Sequence, residues 1–531
     1  MVYRKNIEHF FTNIDRPIFG LKLPQEVAAA LFARYSRSTG SLRSIFENEF
    51  LGDDAIVGNE ELLENAKEKA ERFHDRVLSA YGDDSVAQLG GAQVACENIS
   101  GIAALFLTDF RTGVAFLEKS TRYVRFDKKD ESGNYPYYVP EVLADMPEYR
   151  ETMDVLFNVY SHQIDPTIEW LKNNYPLERI NIRNPETGEE RLGNEWEGEW
   201  VRKAYLSALR SKALDILRSY LPISTLTNIG ISANGQEWEN ILTKGYSSPF
   251  REIRELANGL RRELDVLIPS LVRRSGPSSY QITRDQSLRQ FLESFQFQWE
   301  SILPSEGNSV SLANYNRRND LNVIDAILFP YGFSARKTLP FYDSEILRAY
   351  VGNRTNRRDK PGRALEAATY TFQFCANLGI YRDLKRHRIL TQERMPISTH
   401  HGYSVPQELI EMNRDEKFHR VMNRARFLYD KIYSRYGEEV AQYAIPFAYR
   451  QRWYMTINLR ELLHICELRT TPQGHSDYRR IAQEMWKKAI SVDDLFAHIQ
   501  NFVDFNEYEF GRLSSELKQA KKRNLGICQY K

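Results

Sequence analysis

Apolar positions along the chain recur mainly at helical spacing. The segment Met146 to Leu171 keeps a period near 3.6 and predicts a helix. From Asn458 to Arg469, about 100° per residue puts Leu459, Leu462, Leu463, Ile465 and Cys466 on one apolar face. Arg460, His464 and Glu467 fall on the opposite side. Several short β-branched or aromatic runs predict strands, so the fold class is mixed and helix-rich. Two polar stretches break the pattern, about Asp127 to Pro140 and about Ile180 to Gly198, and both predict loops. A third break, Ser275 to Ser279, predicts a hinge, and the basic run Lys518 to Arg523 reads as a solvated helix end.

The pattern repeats. Pro222, in Leu221-Pro222-Ile223, precedes Asn234 by twelve residues; Pro446, in Ile445-Pro446-Phe447, precedes Asn458 by the same twelve. Each Asn opens a helical pattern, NGQEWENILTKG in one case and NLRELLHICELR in the other. Upstream, each half has an apolar segment with a glycine, a charged turn and a polar motif. Two homologous domains follow, about 1–285 and 286–531, the first carrying an insertion at about 127–198.

With 531 residues, the chain can bury full-sized cores without staples. Its 72 Lys+Arg against 71 Asp+Glu give a net charge of +1, which argues against bulk electrostatic binding of nucleic acid. Cys96, Cys375, Cys466 and Cys528 lie far apart and form no CxxC pair, so neither a zinc ribbon nor a disulfide framework is expected. No run approaches a membrane span and no signal-like start is present, so a reduced, cytoplasmic protein is expected.

Candidate chemistry lies in the polar motifs. Asn458 and Arg469 project within about 20° of each other, inside the apolar stripe and about 16 Å apart along the helix. A guanidinium there costs several kcal/mol unless paired. Arg469 is therefore either a buried or snorkelling ion-pair partner, or a donor aimed at a planar anionic or carbonyl ligand. In the first half Gly245 stands at that step. Arg386-His387-Arg388, after Arg382 and Lys385, is a solvated basic turn or a donor set for phosphate or a carbonyl-rich ring. Glu118-Lys119-Ser120-Thr121-Arg122-Tyr123 is a polar turn or a phosphate cradle. Arg218 sits on an otherwise apolar run, as the edge of an amphipathic helix. The adjacent His400 and His401 are a poor chelating pair, and no metal is expected.

Together these residues resemble the flavin-dependent thymidylate synthases, whose signature has the form RHRxxSxNExSxRY. The second half shows Arg386-His387-Arg388 with Thr391 at the first hydroxyl position, and Asn458, Arg460 and Arg469 at the spacing of the family's later helix. The first half shows the other end of the signature, Glu118-x-Ser120-x-Arg122-Tyr123, and Gly82, Ser85 and Val86 are similar to an upstream family loop. Asp109-Phe110-Arg111 stands where RHR belongs, shifted by one residue. Pro396-Ile397-Ser398-Thr399 replaces the Ser-x-Arg-Tyr end in the second half, and Gln442 stands where the first half has Arg218. Each half thus keeps one of two complementary sets.

The resemblance implies two tandem copies of an α/β (α+β) fold with a central sheet in each. It also implies one composite site between the halves and a homodimer forming a pseudo-tetramer. The implied reaction is methylation of dUMP to dTMP, with carbon from methylenetetrahydrofolate, hydride from FAD and NADPH as reductant. Arg469 would stabilise negative charge on the uracil ring. Glu118, Ser120, Arg122, Arg218, Asp383 and Arg386 would hold the nucleotide. Arg386, His387, Arg388, Asn458, Arg460 and His464 would line the flavin. The family's upstream histidine is replaced by Leu89 and Ala367, and His464 replaces a frequent Asn. Asp383 stands at the position of the family's base-side Gln; with the missing histidine it motivates one alternative, a non-catalytic nucleotide-binding protein, and the other alternative is a flavoenzyme acting on another pyrimidine nucleotide.

Overall fold

The computed structural model describes residues 7–51, 59–74, 84–183, 190–195, 199–294, 307–333, 342–508 and 510–524. Gly82 and Cys528 lie outside them. The elements used below are, through the first half, α1 (Gln25–Tyr35), β1 (Gly91–Ile99), α2 (Gly101–Asp109), β2 (Val114–Glu118), α3 (Pro147–Asn174), α4 (Glu199–Leu217), β3 (Thr227–Asn234), α5 (Gly235–Tyr246) and α6 (Arg251–Leu267). Through the second half they are β4 (Ser309–Tyr315), β5 (Thr369–Asn377), α7 (Leu378–Leu384), β6 (Leu390–Arg394), α8 (Asp415–Tyr436), β7 (Arg450–Asn458), α9 (Leu459–Arg469), α10 (Ser476–Ile490) and α11 (Arg512–Asn524). The fold is α+β: many helices with small antiparallel sheets.

The chain forms two compact units that do not follow chain order. One comprises residues 1–119 and 227–298; the other comprises 120–226 and 299–531.

In the first unit the strands run β1-β3-β2, all antiparallel. Alternation drives β3, where Ile229, Ile231 and Ala233 point into a core shared with Trp238, Ile241, Leu242 and Leu260. α1 contributes Val27, Ala30 and Leu31 to a second cluster, which also holds the edge-to-face rings of Phe10, Phe11 and Phe46.

In the second unit the order is β4-β5-β7-β6. Tyr370, Phe372, Phe374 and Ala376 of β5 are buried at alternate positions, as are Trp453, Met455 and Ile457 of β7. Phe374 and Trp453 stack with ring centroids 4.6 Å apart. The helix expected over 146–171 is α3; its Glu148 and Glu151 meet Lys431 and Arg424 of α8.

Both sheets use the same plan. A strand, a capped helix and a second strand flank a later strand that runs directly into a helix capped by its own last residue. Asn234 accepts from the Glu237 N–H and Asn458 from the Glu461 N–H, each at 2.9 Å. In the pairing register, Gly91 faces Asn234 and Thr369 faces Asn458. The proline motifs upstream meet within the second unit. The Ile223 N–H donates to the Ile445 carbonyl at 2.8 Å, and the Phe447 N–H donates to the Leu221 carbonyl at 2.9 Å. This reciprocal pairing joins the two repeated segments at equivalent residues.

Candidate functional site

β7 and its capping Asn458 fix the direction of α9. The apolar face is buried as its period requires, but one expectation fails: Glu467 is 1% exposed. Arg354 covers that face and pairs with Glu467 through two contacts, 2.6 and 2.8 Å. A tertiary partner thus buries a carboxylate that periodicity places outside.

Arg469, the last residue of α9, donates from Nε to Nε2 of His387 at 3.1 Å. A guanidinium has no acceptor, so Nε2 accepts and the imidazole proton sits on Nδ1, 3.1 Å from Glu461. Burial, then Arg469 and Lys360, hold the His387 pKa well below its usual value. His387 is therefore a neutral relay between Arg469 and Glu461. It is not a third cationic donor between Arg386 and Arg388, which are both exposed. Nδ1 of His464 lies 2.6 Å from the Lys360 ammonium, and burial, then Lys360, lower its pKa to about 4. His387, Glu461 and His464 bring three ligand atoms within 4.8 Å of one another, a spacing that could hold a metal ion. The Lys360 ammonium already stands against this cluster.

The first-half residues Arg122 and Arg218 lie in the same compact unit. Nε of Arg122 donates to both Asp215 carboxylate oxygens, at 2.6 and 2.8 Å, and its Nη2 lies 2.6 Å from Oδ2. Arg218 donates to Asp383 at 3.2 Å, and its Nε lies 3.8 Å from Asp215. Gly379 leaves room for this approach, because a Cβ there would stand 3.1 to 3.2 Å from the Arg218 guanidinium. The guanidiniums of Arg122 and Arg469 both stand over the Tyr478 ring, at 5.9 and 5.8 Å from its centroid. Burial works against charge on Asp383, yet Arg218, Arg122, Arg386 and Arg469 hold its carboxyl well below the usual range. Asp215 is likewise buried and held ionised by Arg122 and Arg218.

The remaining expected residues are placed as follows. Nε of Arg386 donates to the Arg382 carbonyl at 3.1 Å. Arg460 donates to the Pro361 carbonyl and to Glu366, both at 2.9 Å. Ser120 Oγ accepts the Arg122 backbone N–H at 3.3 Å. Glu118 ends β2 in the other compact unit, paired with Ile229.

Sequence reasoning missed Asp215, Tyr478, Glu461, Lys360 and Arg512. Nη1 of Arg512 on α11 lies 3.6 Å from Asp215, and its guanidinium stands 4.5 Å from the Tyr123 ring centroid. One signal was available: Asp215 precedes Arg218 by three residues on an apolar run, where an unpaired carboxylate would be costly. Beside this cluster lies a polar cavity of about 850 Å³, walled partly by Asp215, Arg218 and Gly379.

A duplicated α+β chain carrying a cluster of arginines drawn from both repeats is the class that fold and site define. The chain belongs to the thymidylate synthase complementing protein family, whose sequence model matches residues 25–270 and 314–493. It is 38% identical to a UPF0159 protein of Chlamydia muridarum (strain MoPn / Nigg) over 97% of both chains. It is 30% identical to the flavin-dependent thymidylate synthase of Pyrococcus furiosus over 25% of this chain and 58% of that protein. A solved UMP/dUMP methylase, PolB from Streptomyces cacaoi bound with 5-Br dUMP, aligns at 17% identity with a TM-score of 0.30, covering 37% of this chain and 97% of that one. Among the described residues, no helix is long and apolar enough to cross a membrane.

Proposed function

We propose that the chain is a flavin-dependent thymidylate synthase that methylates dUMP to dTMP in one composite site, with methylenetetrahydrofolate and NADPH as co-substrates. One observation carries the reading: Arg122 and Arg218 from the first half converge with Asp383 and Arg469 from the second on a single carboxylate-centred cluster. Arg469, oriented by His387, would stabilise negative charge developing on the uracil ring. A preorganised donor of that kind lowers a barrier by about 3 kcal/mol. Asp383 would accept from a ring N–H. Ser120, Arg122, Arg218 and Arg386 would bind the nucleotide.

A flavin fits part of the donor set. Arg386 and Arg388 offer exposed guanidiniums for its phosphates, and His387 and His464 are neutral imidazoles. Asn458 and Arg460 are engaged inside the chain, by the helix cap and by Glu366, and would shape the pocket wall. When bound, the flavin supplies the hydride. Two chains would associate as a closed dimer in the cytoplasm.

The test is tritium release from 5-tritiated dUMP in the presence of FAD, NADPH and methylenetetrahydrofolate. Release with formation of dTMP is expected, whereas a colourless protein that takes up no FAD and releases no tritium would overturn the reading. Hydroxymethylated product would point to a related flavoenzyme. A second reading, nucleotide binding without turnover, draws on the engagement of Arg122 by Asp215 and of Arg218 by Asp383. It predicts dUMP binding with no release at all.

A further inference from the structure

Two buried arginines wall the cavity of about 850 Å³ and have no carboxylate partner among the described residues. Arg450 is 8% exposed and Arg479 is 5% exposed. Arg450 donates from Nε to the His401 carbonyl at 2.8 Å, and from Nη1 to the Tyr403 carbonyl at 2.8 Å and to Ser404 Oγ at 3.5 Å. Arg479 donates from Nε to the Thr470 carbonyl at 2.9 Å and from Nη2 to the Asn506 carbonyl at 2.8 Å, and stands 4.9 Å from the Tyr508 ring centroid. Among the described residues each guanidinium therefore keeps one terminal nitrogen without an acceptor.

Neutral carbonyls satisfy hydrogen-bond geometry but do not neutralise charge. A buried guanidinium without a counter-charge costs several kcal/mol. Burial accordingly depresses the Arg450 pKa. The other buried charges in the wall are matched: Lys212 lies 2.9 Å from Glu408, and Arg218 lies between Asp215 and Asp383. Of the remaining carboxylates in the wall, Glu411 and Glu507 are exposed, and Asp477 is half-buried and accepts from Asn308 Nδ2 at 3.4 Å. The volume is in the range of small-molecule sites, about 300–1,000 Å³.

We propose that this cavity binds a small molecule bearing a phosphate or carboxylate group, with Arg450 and Arg479 as its charge partners. The proposal is carried by Arg450 and Arg479, neither of which belongs to the proposed nucleotide site, although Arg218 of that site also lines the wall. Because Asp215 and Arg218 also belong to the wall, the occupant would lie beside the arginine cluster.

The test titrates the full chain with inorganic pyrophosphate and with citrate, against chloride at equal ionic strength, by calorimetry. Saturable binding of at least one anion is expected. Arg450→Gln and Arg479→Gln should each weaken it at least about tenfold, roughly 1.4 kcal/mol. Preference for pyrophosphate assigns a phosphate ligand; preference for citrate assigns a carboxylate. No saturable binding of either anion, or binding unchanged in both variants, would overturn the proposal. If a variant does not fold, crystals of the unmutated protein soaked in selenate decide: anomalous density at Arg450 and Arg479 supports the site, and density elsewhere or none rejects it. Neither readout depends on flavin or dUMP.

Discussion

Gly245 and Arg469 stand at the same step of two helices that begin alike, eleven residues after the capping asparagines Asn234 and Asn458. At Gly245 the helices close up: an added Cβ would lie 2.8 Å from the Cβ of Ala257 on α6. At Arg469 the side chain meets His387 and Tyr478. The charged turns differ in the same sense. Counted from the caps Ser100 and Asn377, Phe110 matches His387, and Phe110 is buried against Phe106. One scaffold was therefore built twice. One copy fills its helix end and turn with packing, and the other fills them with a hydrogen-bonded chain of charged and neutral donors. A shared backbone plan fixes where a side chain can stand; the residue there decides whether the place is core or site.

The largest effect is expected where the second copy buries charge. Glu467 matches Thr243 by the same count, and Thr243 makes no ion pair. Glu467→Gln leaves Arg354 buried without its carboxylate, and should lower unfolding free energy by about 3–5 kcal/mol in a urea titration. A loss under 1 kcal/mol would mean that Arg354 finds other partners. Next is Arg469→Ala, which should reduce tritium release from dUMP about 100- to 1,000-fold with the circular dichroism spectrum unchanged. If the variant unfolds, Arg469 is a packing residue and the comparison loses its functional side. The reverse exchange, Gly245→Arg, should restore no activity and should cost about 1–3 kcal/mol by overpacking against Ala257. An equal or raised melting temperature would show that α5 and α6 can separate cheaply.

Much of this contrast was legible in the sequence. The twelve-residue interval from proline to asparagine located both capped helices, because a cap needs a side-chain acceptor at one defined step. Complementary loss of Arg and of the Glu-x-Ser-x-Arg end indicated that Arg122, Arg218 and Arg469 belong together. Three features were hidden for physical reasons. A register shift lies between Cys96 and Ile99, with Asn98 at a positive φ of 55°, and displaces the Asp109–Arg111 turn by one residue relative to strand pairing. Glu467 was placed outward because helical period knows nothing of the Arg354 loop that covers it. Residues 120–226 pack with the second half, a property of long-range contacts that local pattern does not carry. Asp215 was legible in part: its place three residues before Arg218 on an apolar run signals a paired carboxylate, but its other partner, Arg122, stands 93 residues away in the sequence.

The smallest effect concerns acid, and it separates the two copies at one position. His464 matches Asn240 of α5. Burial, then the Lys360 ammonium, lower the His464 pKa to about 4, against about 6.5 in the unfolded chain. A histidine with a depressed folded pKa takes up its proton in the unfolded state first. It therefore contributes stability above about pH 6.5, and that contribution is lost as the pH falls towards 4. His387, depressed by burial and by Arg469, acts in the same direction and extends the loss to lower pH. His464→Asn installs the first copy's residue and removes one of these protons. Between pH 6.5 and 4, the variant's stability should fall less steeply than the wild type's, by at most about 1.4 kcal/mol per pH unit. Melting temperatures across that window provide the check. Parallel profiles would show that Lys360 moves away and lets His464 titrate near its ordinary value. His387, between Arg469 and Glu461, would then be the one imidazole of the pair held neutral by its surroundings.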